Sequence, residues 1–336
     1  MIYGHGDDLY QYDKIHINFS SNVKPGGMDR GLKKHLENSV SDCSSYPEPR
    51  AKELELCIEQ AYHLPPGSAL VTNGAVEAFY LLAAWKQGCN SLIYYPSFSE
   101  YEDACHRYNH KLEFVSNTEL QDKVVYGQHL VWLCNPNNPD GKIFRPDTLQ
   151  AVVEYNKGTL FVIDEAYIDF VEEDVSMIKW LSAYKNLIII RSLTKRFVIP
   201  GLRLGYLLAA PDIVAQLEKL IIPWRINILA QKAGMYCLKE GCKDGFDLAT
   251  ILKESKRLQN EINKVDGFSV VFSDTTFFLV KSRWKASEVK SKLIDKYGIL
   301  IRDASNFRGL TDEHFRVACQ TPSQNNELIK AFRKWR

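Results

Sequence analysis

The chain has 336 residues, 45% of them hydrophobic and 25% charged, which is enough for more than one packed core and too much for a single ordinary domain. Its 42 basic residues face 41 acidic ones, leaving a net charge of +1, a balance that excludes the basic excess of nucleic-acid binders and membrane-surface proteins. The eight cysteines form no Cys-x-x-Cys pair, residues 1–8 carry no apolar stretch, and runs such as 187–190 are far too short for a membrane span, so a reducing, cytoplasmic setting is expected. Asn18-Phe19-Ser20 matches a glycosylation triplet and is read as chance in that setting.

Taken in chain order, short apolar runs predict strands at 69–72, 91–95, 112–115, 130–134, 159–163, 187–191 and 204–209. Helical patterns fall between them at 51–62, 75–86, 101–108, 146–155 and 211–220. The strands are dense in Val, Ile, Leu and Tyr without strict alternation, the pattern of a mostly parallel sheet covered by helices on both faces, so the fold class is α/β. After about residue 235 the rhythm changes to a long polar helix at 247–265, strands at 269–272 and 276–280, a helix at 286–297, strands at 299–302 and 314–318, and a last helix. This predicts an N-terminal arm (1–24), a large domain (25–235) and a smaller α+β C-terminal domain (236–336). The acidic run Glu172-Glu173-Asp174 reads as an exposed loop. His106 and His110 stand four apart on a predicted helix but have no third ligand nearby, so no metal is expected.

Ligands of open α/β sheets bind beyond the carboxyl ends of the strands. There this chain places Asn73-Gly74-Ala75-Val76 at a helix start, then Tyr95-Pro96-Ser97-Phe98, then Asn135-Pro136-Asn137-Asn138-Pro139-Asp140-Gly141. Asp164-Glu165-Ala166-Tyr167 and Ser192-Leu193-Thr194-Lys195 follow, with Pro200-Gly201-Leu202-Arg203 shortly after. Each alone has an ordinary reading as a cap, a rigid turn or a solvated lysine. Ser192-Leu193-Thr194-Lys195 also matches the Ser-x-x-Lys of β-lactamases, whose Ser-Asp-Asn and Lys-Thr-Gly partners are missing. The conjunction on one sheet edge decides.

In order and spacing these tokens resemble the fold-type I pyridoxal-phosphate (PLP) enzymes, the aspartate-aminotransferase superfamily, over nearly the whole chain. The resemblance implies PLP as cofactor, carried as an imine by Lys195, with Asp164 holding the proton of the ring nitrogen. It further implies Asn138 and Tyr167 on the phenolic oxygen and Phe98 stacked on the ring. The cofactor phosphate would sit at the helix start at Gly74, on the N–H groups of Ala75 and Val76, with Ser192, Thr194 and Arg203 completing the cradle. Tyr46 matches the tyrosine that reaches the phosphate from a neighbouring subunit, implying a homodimer with shared sites. Arg316, inside an apolar strand, needs an anion and matches the arginine that binds the substrate carboxylate. Asp140 stands where the family usually has threonine.

Within the superfamily the chain is most similar to the branch of histidinol-phosphate aminotransferases and threonine-phosphate decarboxylases. His5-Gly6, the segment from Asn18 to Pro25 and the segment from Ile299 to Leu310 lean to the decarboxylases, while Asp7 and Arg225 depart from them. Either branch implies a small phosphorylated substrate, with Arg302 as the phosphate clamp and His5, Ser21 and Asn22 as further contacts. The reading is therefore a lyase of the cobalamin-synthesis branch that converts O-phospho-L-threonine to (R)-1-aminopropan-2-yl phosphate. The alternatives are transamination of histidinol phosphate with 2-oxoglutarate, or a non-catalytic protein of the same fold acting as a regulator.

Overall fold

A computed structural model describes residues 8–120, 127, 129–241 and 247–335. Its first strand, β1 (Ile17–Asn18), precedes the seven that build the central sheet: β2 (Ala69–Thr72), β3 (Asn90–Tyr95), β4 (Lys111–Ser116), β5 (Leu130–Cys134), β6 (Leu160–Asp164), β7 (Leu187–Ser192) and β8 (Gly205–Leu208). They lie in the order β2-β8-β7-β6-β5-β3-β4. Strands β3 to β7 pair in parallel, whereas β8 runs antiparallel to both of its neighbours. The reversal matters: the edge where β2, β3, β5, β6 and β7 end is where β8 begins, which delivers Arg203 to the same edge as Lys195.

Alternate residues of these strands feed two cores, as period-2 side-chain geometry requires. Val71, Leu133, Ile163, Ile189 and Leu208 face one, under helices Lys52–Ala61, Pro146–Tyr155 and Ile228–Glu240. Leu70, Trp132, Val162, Ile188 and Leu207 face the other, under helices Gly74–Trp85, Glu100–Arg107 and Pro211–Leu217. Burial on both faces is why the strand sequences lack alternation. Helix Ile228–Glu240 was not expected, and the predicted boundary at residue 235 falls inside it. Its Cys237 and Leu238 still pack in the first core.

The second sheet holds β9 (Phe268–Val271), β10 (Phe277–Ser282), β12 (Arg302–Asp303) and β13 (His314–Ala318) in the order β12-β13-β10-β9. The strand expected at 299–302 divides between two sheets. Its first half, β11 (Ile299–Leu300), pairs in parallel with β1, and its second half joins β13. The segment from Ile17 to Phe19 is thereby tied to the smaller sheet, where the Phe19 carbonyl accepts from the Ala318 N–H at 2.9 Å. Among the described residues no helix is long and apolar enough to cross a membrane.

Candidate active site

Between the carboxyl edge of the central sheet and strands β12 and β13 lies a cavity of about 430 Å³, within the range of small-molecule sites. Fourteen of the residues singled out above line it: Ala75, Val76, Phe98, Asn138, Asp164 and Tyr167; Ser192, Thr194, Lys195 and Arg203; Ser21, Asn22, Arg302 and Arg316.

Asp164 ends β6, 4% exposed. Its Oδ1 accepts from the Ala166 N–H at 2.9 Å and its Oδ2 from the Tyr101 hydroxyl at 2.6 Å. Burial pushes its pKa up to about 6 against these hydrogen bonds and the charge of Lys195. Tyr101 was missed in the sequence reading: it lies 63 residues away on helix Glu100–Arg107, and no local pattern connects it to Asp164. Its ring is clamped by Trp132, stacked at 5.7 Å, and by the edges of Phe79 and Phe98. Lys195 sits on the single helical turn after β7, with Nζ 6.0 Å from the centre of the Tyr167 ring. The Lys195 carbonyl accepts from the Lys24 N–H at 3.0 Å, tying the lysine's backbone to the N-terminal segment. Tyr167 is buried, which pushes its phenol up to about 12.

Helix Gly74–Trp85 opens without a side-chain cap, so its first-turn N–H groups remain as donors beside the cavity. Two glycines permit this. Gly74 has φ of +73°, and an added Cβ would stand 2.5 Å from Arg203 Nη2, so the guanidinium lies against the bare backbone. A Cβ at Gly205, the first residue of β8, would stand 2.7 Å from the Ala75 nitrogen. The Ser192 and Thr194 hydroxyls are 2.7 Å apart beside the same helix start.

The opposite wall is built from inside strands. Arg302 and Arg316 are direct partners in the antiparallel β12–β13 ladder, 7% and 4% exposed. Arg316 donates to the Asn138 side-chain oxygen and, at 2.6 Å, to the Ser20 carbonyl, while its buried Nε finds no partner. Arg302 donates to the Asp303 carbonyl and, at 2.8 Å, to Asn306 Oδ1. Burial lowers both guanidinium pKa values to about 10, and Arg316 adds repulsion at Arg302. Both side-chain amide atoms of Asn22 are likewise buried, beside the Tyr167 phenol.

Tyr46 is 87% exposed and packs on Trp224 rather than lining the cavity of its own chain. His5 and Asp7 lie outside the described residues. Arg225 turns away from the cavity, to Glu77 at 3.2 Å and the Val71 carbonyl. Asp140 braces the Asn135–Gly141 turn, accepting from Asn137 at 2.7 Å and Asn117 at 2.9 Å. His110 is held by Ser91 at 2.8 Å and the Ala83 carbonyl at 2.9 Å, and His106 leans on Glu102 at 3.4 Å. Glu172, Glu173 and Asp174 are exposed.

The model of the family "aminotransferase class I and II" matches residues 14–332. Threonine-phosphate decarboxylase of Salmonella typhimurium is 27% identical over 329 residues, covering 94% of this chain and 90% of that protein. A histidinol-phosphate aminotransferase of Caldanaerobacter subterraneus is 32% identical over 301 residues, covering 86% and 84%. Among solved structures, L-threonine-O-3-phosphate decarboxylase from Porphyromonas gingivalis superposes with a TM-score of 0.91 at 35% identity, covering 94% of this chain and 98% of that one.

Proposed function

Because the chain belongs to the class I and II aminotransferase family and takes pyridoxal phosphate as its cofactor, we propose that it acts on a small amine bearing both a phosphate and a carboxylate. The reaction proposed is decarboxylation of O-phospho-L-threonine to (R)-1-aminopropan-2-yl phosphate, the carbon dioxide being replaced at Cα by a proton. One observation carries this reading: Arg302 and Arg316 stand directly opposite each other, buried, at one wall of the cavity. Like charges in that register destabilise a ladder, and burial compounds the cost unless anions sit between them. A substrate with two anionic groups answers both arginines at once. Histidinol phosphate carries only the phosphate.

The cavity fits the cofactor. Asp164 is a buried acid that gains from a cationic N–H, the uncapped helix start at Gly74, Ala75 and Val76 offers donors to a phosphate, and Lys195 reaches the same space. When bound, PLP supplies an electron sink for the charge left at Cα when one of its substituents departs. Asp164 would hold the proton of the cofactor's ring nitrogen. Asn138, whose oxygen is taken by Arg316, has its NH₂ for the phenolic oxygen, which Tyr167 also serves. Phe98 would bound the ring, and Ser192, Thr194 and Arg203 would complete the phosphate cradle. Lys195 moves the proton at Cα. Arg302 takes the substrate phosphate, Arg316 the carboxylate, and Ser21 and Asn22 line the substrate end. Together they would orient the substrate and so set which Cα substituent is released.

Tyr46 supports a homodimer with shared sites. It is 87% exposed beside the half-exposed Trp224, and Ile222 nearby in the chain is 70% exposed, an apolar surface that a second subunit would cover. The test of the activity is direct. PLP-loaded protein given O-phospho-L-threonine without a keto acid should release carbon dioxide. Absence of the gas, together with turnover of histidinol phosphate that requires 2-oxoglutarate, overturns the assignment in favour of transamination.

A further inference from the structure

The loop that follows Arg302 cups its guanidinium. The Asp303 carbonyl and Asn306 Oδ1 accept from it, and the Phe307 ring lies 5.3 Å from it. Within the smaller sheet's neighbourhood this loop has modest support: the Ala304 N–H donates to the His314 carbonyl at 2.9 Å, and Ala304 and Phe307 pack with Leu279. A second cavity, of about 350 Å³, lies between the loop and the central sheet. What bridges that gap is specific. Arg308 Nη2 donates to Glu102 Oε1 at 2.6 Å and Nε to Oε2 at 3.2 Å, a two-pronged pair. The Arg308 guanidinium lies 3.7 Å from the centre of the Phe114 ring on β4. Gly309, at φ of +81°, seats against Tyr95 so closely that a Cβ would stand 2.7 Å from the ring.

We propose that Arg308 is a positioning residue for the phosphate end of the substrate: by clasping Glu102 it fixes the 303–310 loop to helix Glu100–Arg107 and holds Arg302 facing the cavity. An ordinary surface ion pair contributes little, because both partners are flexible and well solvated. This one is two-pronged, its Glu102 side chain is 13% exposed, and its guanidinium is pinned on an aromatic face. His106, 3.4 Å from the same carboxylate, belongs to the same helix and leaves the link between the two sides to Arg308. Arg308 does not line the active-site cavity, so its effect passes through the loop. The inference rests on the reading of Arg302 as the phosphate clamp.

The test uses PLP-loaded protein titrated with O-phosphoethanolamine, which has the amine and phosphate but no carboxylate, and with ethanolamine, following cofactor absorption. Arg308→Gln should weaken O-phosphoethanolamine about tenfold, as when roughly a tenth of the molecules keep the loop in its binding arrangement. Ethanolamine binding and cofactor uptake should not change. Glu102→Gln should match it, the double substitution should add nothing, and the exchange Glu102→Arg with Arg308→Glu should restore affinity. Gly309→Ala, which forces a Cβ against Tyr95 while keeping both members of the ion pair, is the second variant and should show a similar loss. Native affinity in Gly309→Ala and Arg308→Gln, alongside a loss in Arg302→Gln, overturns the clasp and leaves the phosphate clamp standing. Native affinity in Arg302→Gln as well overturns both.

Discussion

The two walls of the cavity hold anions by different means. On the central-sheet side the anion site is built mainly of neutral donors where strands end, the N–H groups of Ala75 and Val76 after β2 and the hydroxyls of Ser192 and Thr194 at and beyond the end of β7, with the solvent-exposed Arg203 beside them. On the other side two guanidinium groups emerge from paired strands, in direct register. Neutral donors at a helix start cost the empty fold little, because water can satisfy them. Buried cations facing one another cost it a great deal, and their lowered pKa values, about 10 for both, express that strain on the charged form. The substrate wall therefore trades stability for affinity, and the cofactor wall does so mainly at Asp164.

The largest effect that would break this contrast is at Arg316. Replacement by Met, similar in reach and without charge, should lower kcat/KM for O-phospho-L-threonine by about 10² to 10³-fold, the loss usual when one partner of a desolvated charge pair is removed. The cofactor-free protein should at the same time become more stable, by about 1 to 3 kcal/mol in denaturant unfolding. A destabilised Arg316→Met protein would show that Asn138 and Ser20 already compensate the charge, and the contrast between the walls would fail.

Asp164→Asn should follow, with a loss of cofactor affinity of about tenfold to 10²-fold from the missing charge-assisted hydrogen bond. Its stability effect has a definite sign. Burial raises the folded-state pKa to about 6, above the value of the unfolded chain, so the native protein binds this proton more tightly. The native fold thus loses ground as pH rises from about 4 through about 6, by on the order of 3 kcal/mol in all. The Asn variant escapes that loss. Cofactor-free Asp164→Asn should gain on the native protein between pH 5 and pH 8, and a gap that does not widen over that interval would remove the argument.

How far these features could be read from the sequence follows from the range of the interactions involved. Strand positions of the central sheet came within about two residues because doubly buried strands are local apolar runs bounded by turns. Asp164 and Lys195 were legible as polar residues at the ends of such runs, and Arg316 as a charge inside one. Helix Ile228–Glu240 was not, because Ala230, Ala233, Gly234 and Cys237 form its buried face and these small residues make no obvious apolar stripe. Gly234 lets the helix pack closely: a Cβ would stand 2.7 Å from the end of the Leu54 side chain. The run at 299–302 reads as one strand, and its division between two sheets depends on β1 and β13, distant in the chain. For the same reason the register that sets Arg302 against Arg316 could not be read, nor could the pairing of Glu102 with Arg308.

Tyr101 is the smallest and most discriminating case, since it asks whether Asp164 is held by more than its own strand. In Tyr101→Phe the ring stays between Trp132 and Phe79 while the donor to Asp164 Oδ2 at 2.6 Å is lost. That hydrogen bond opposes the rise in the Asp164 pKa, so without it the acid keeps its proton to higher pH and is a poorer partner for a protonated ring nitrogen. Cofactor affinity at pH 7 should fall about fivefold, the worth of roughly 1 kcal/mol. The deficit should shrink as pH rises and Asp164 ionises in both proteins, which a merely structural role for the tyrosine would not produce. Equal affinities at pH 7 would mean that the Ala166 N–H and the cofactor itself suffice to hold the carboxylate.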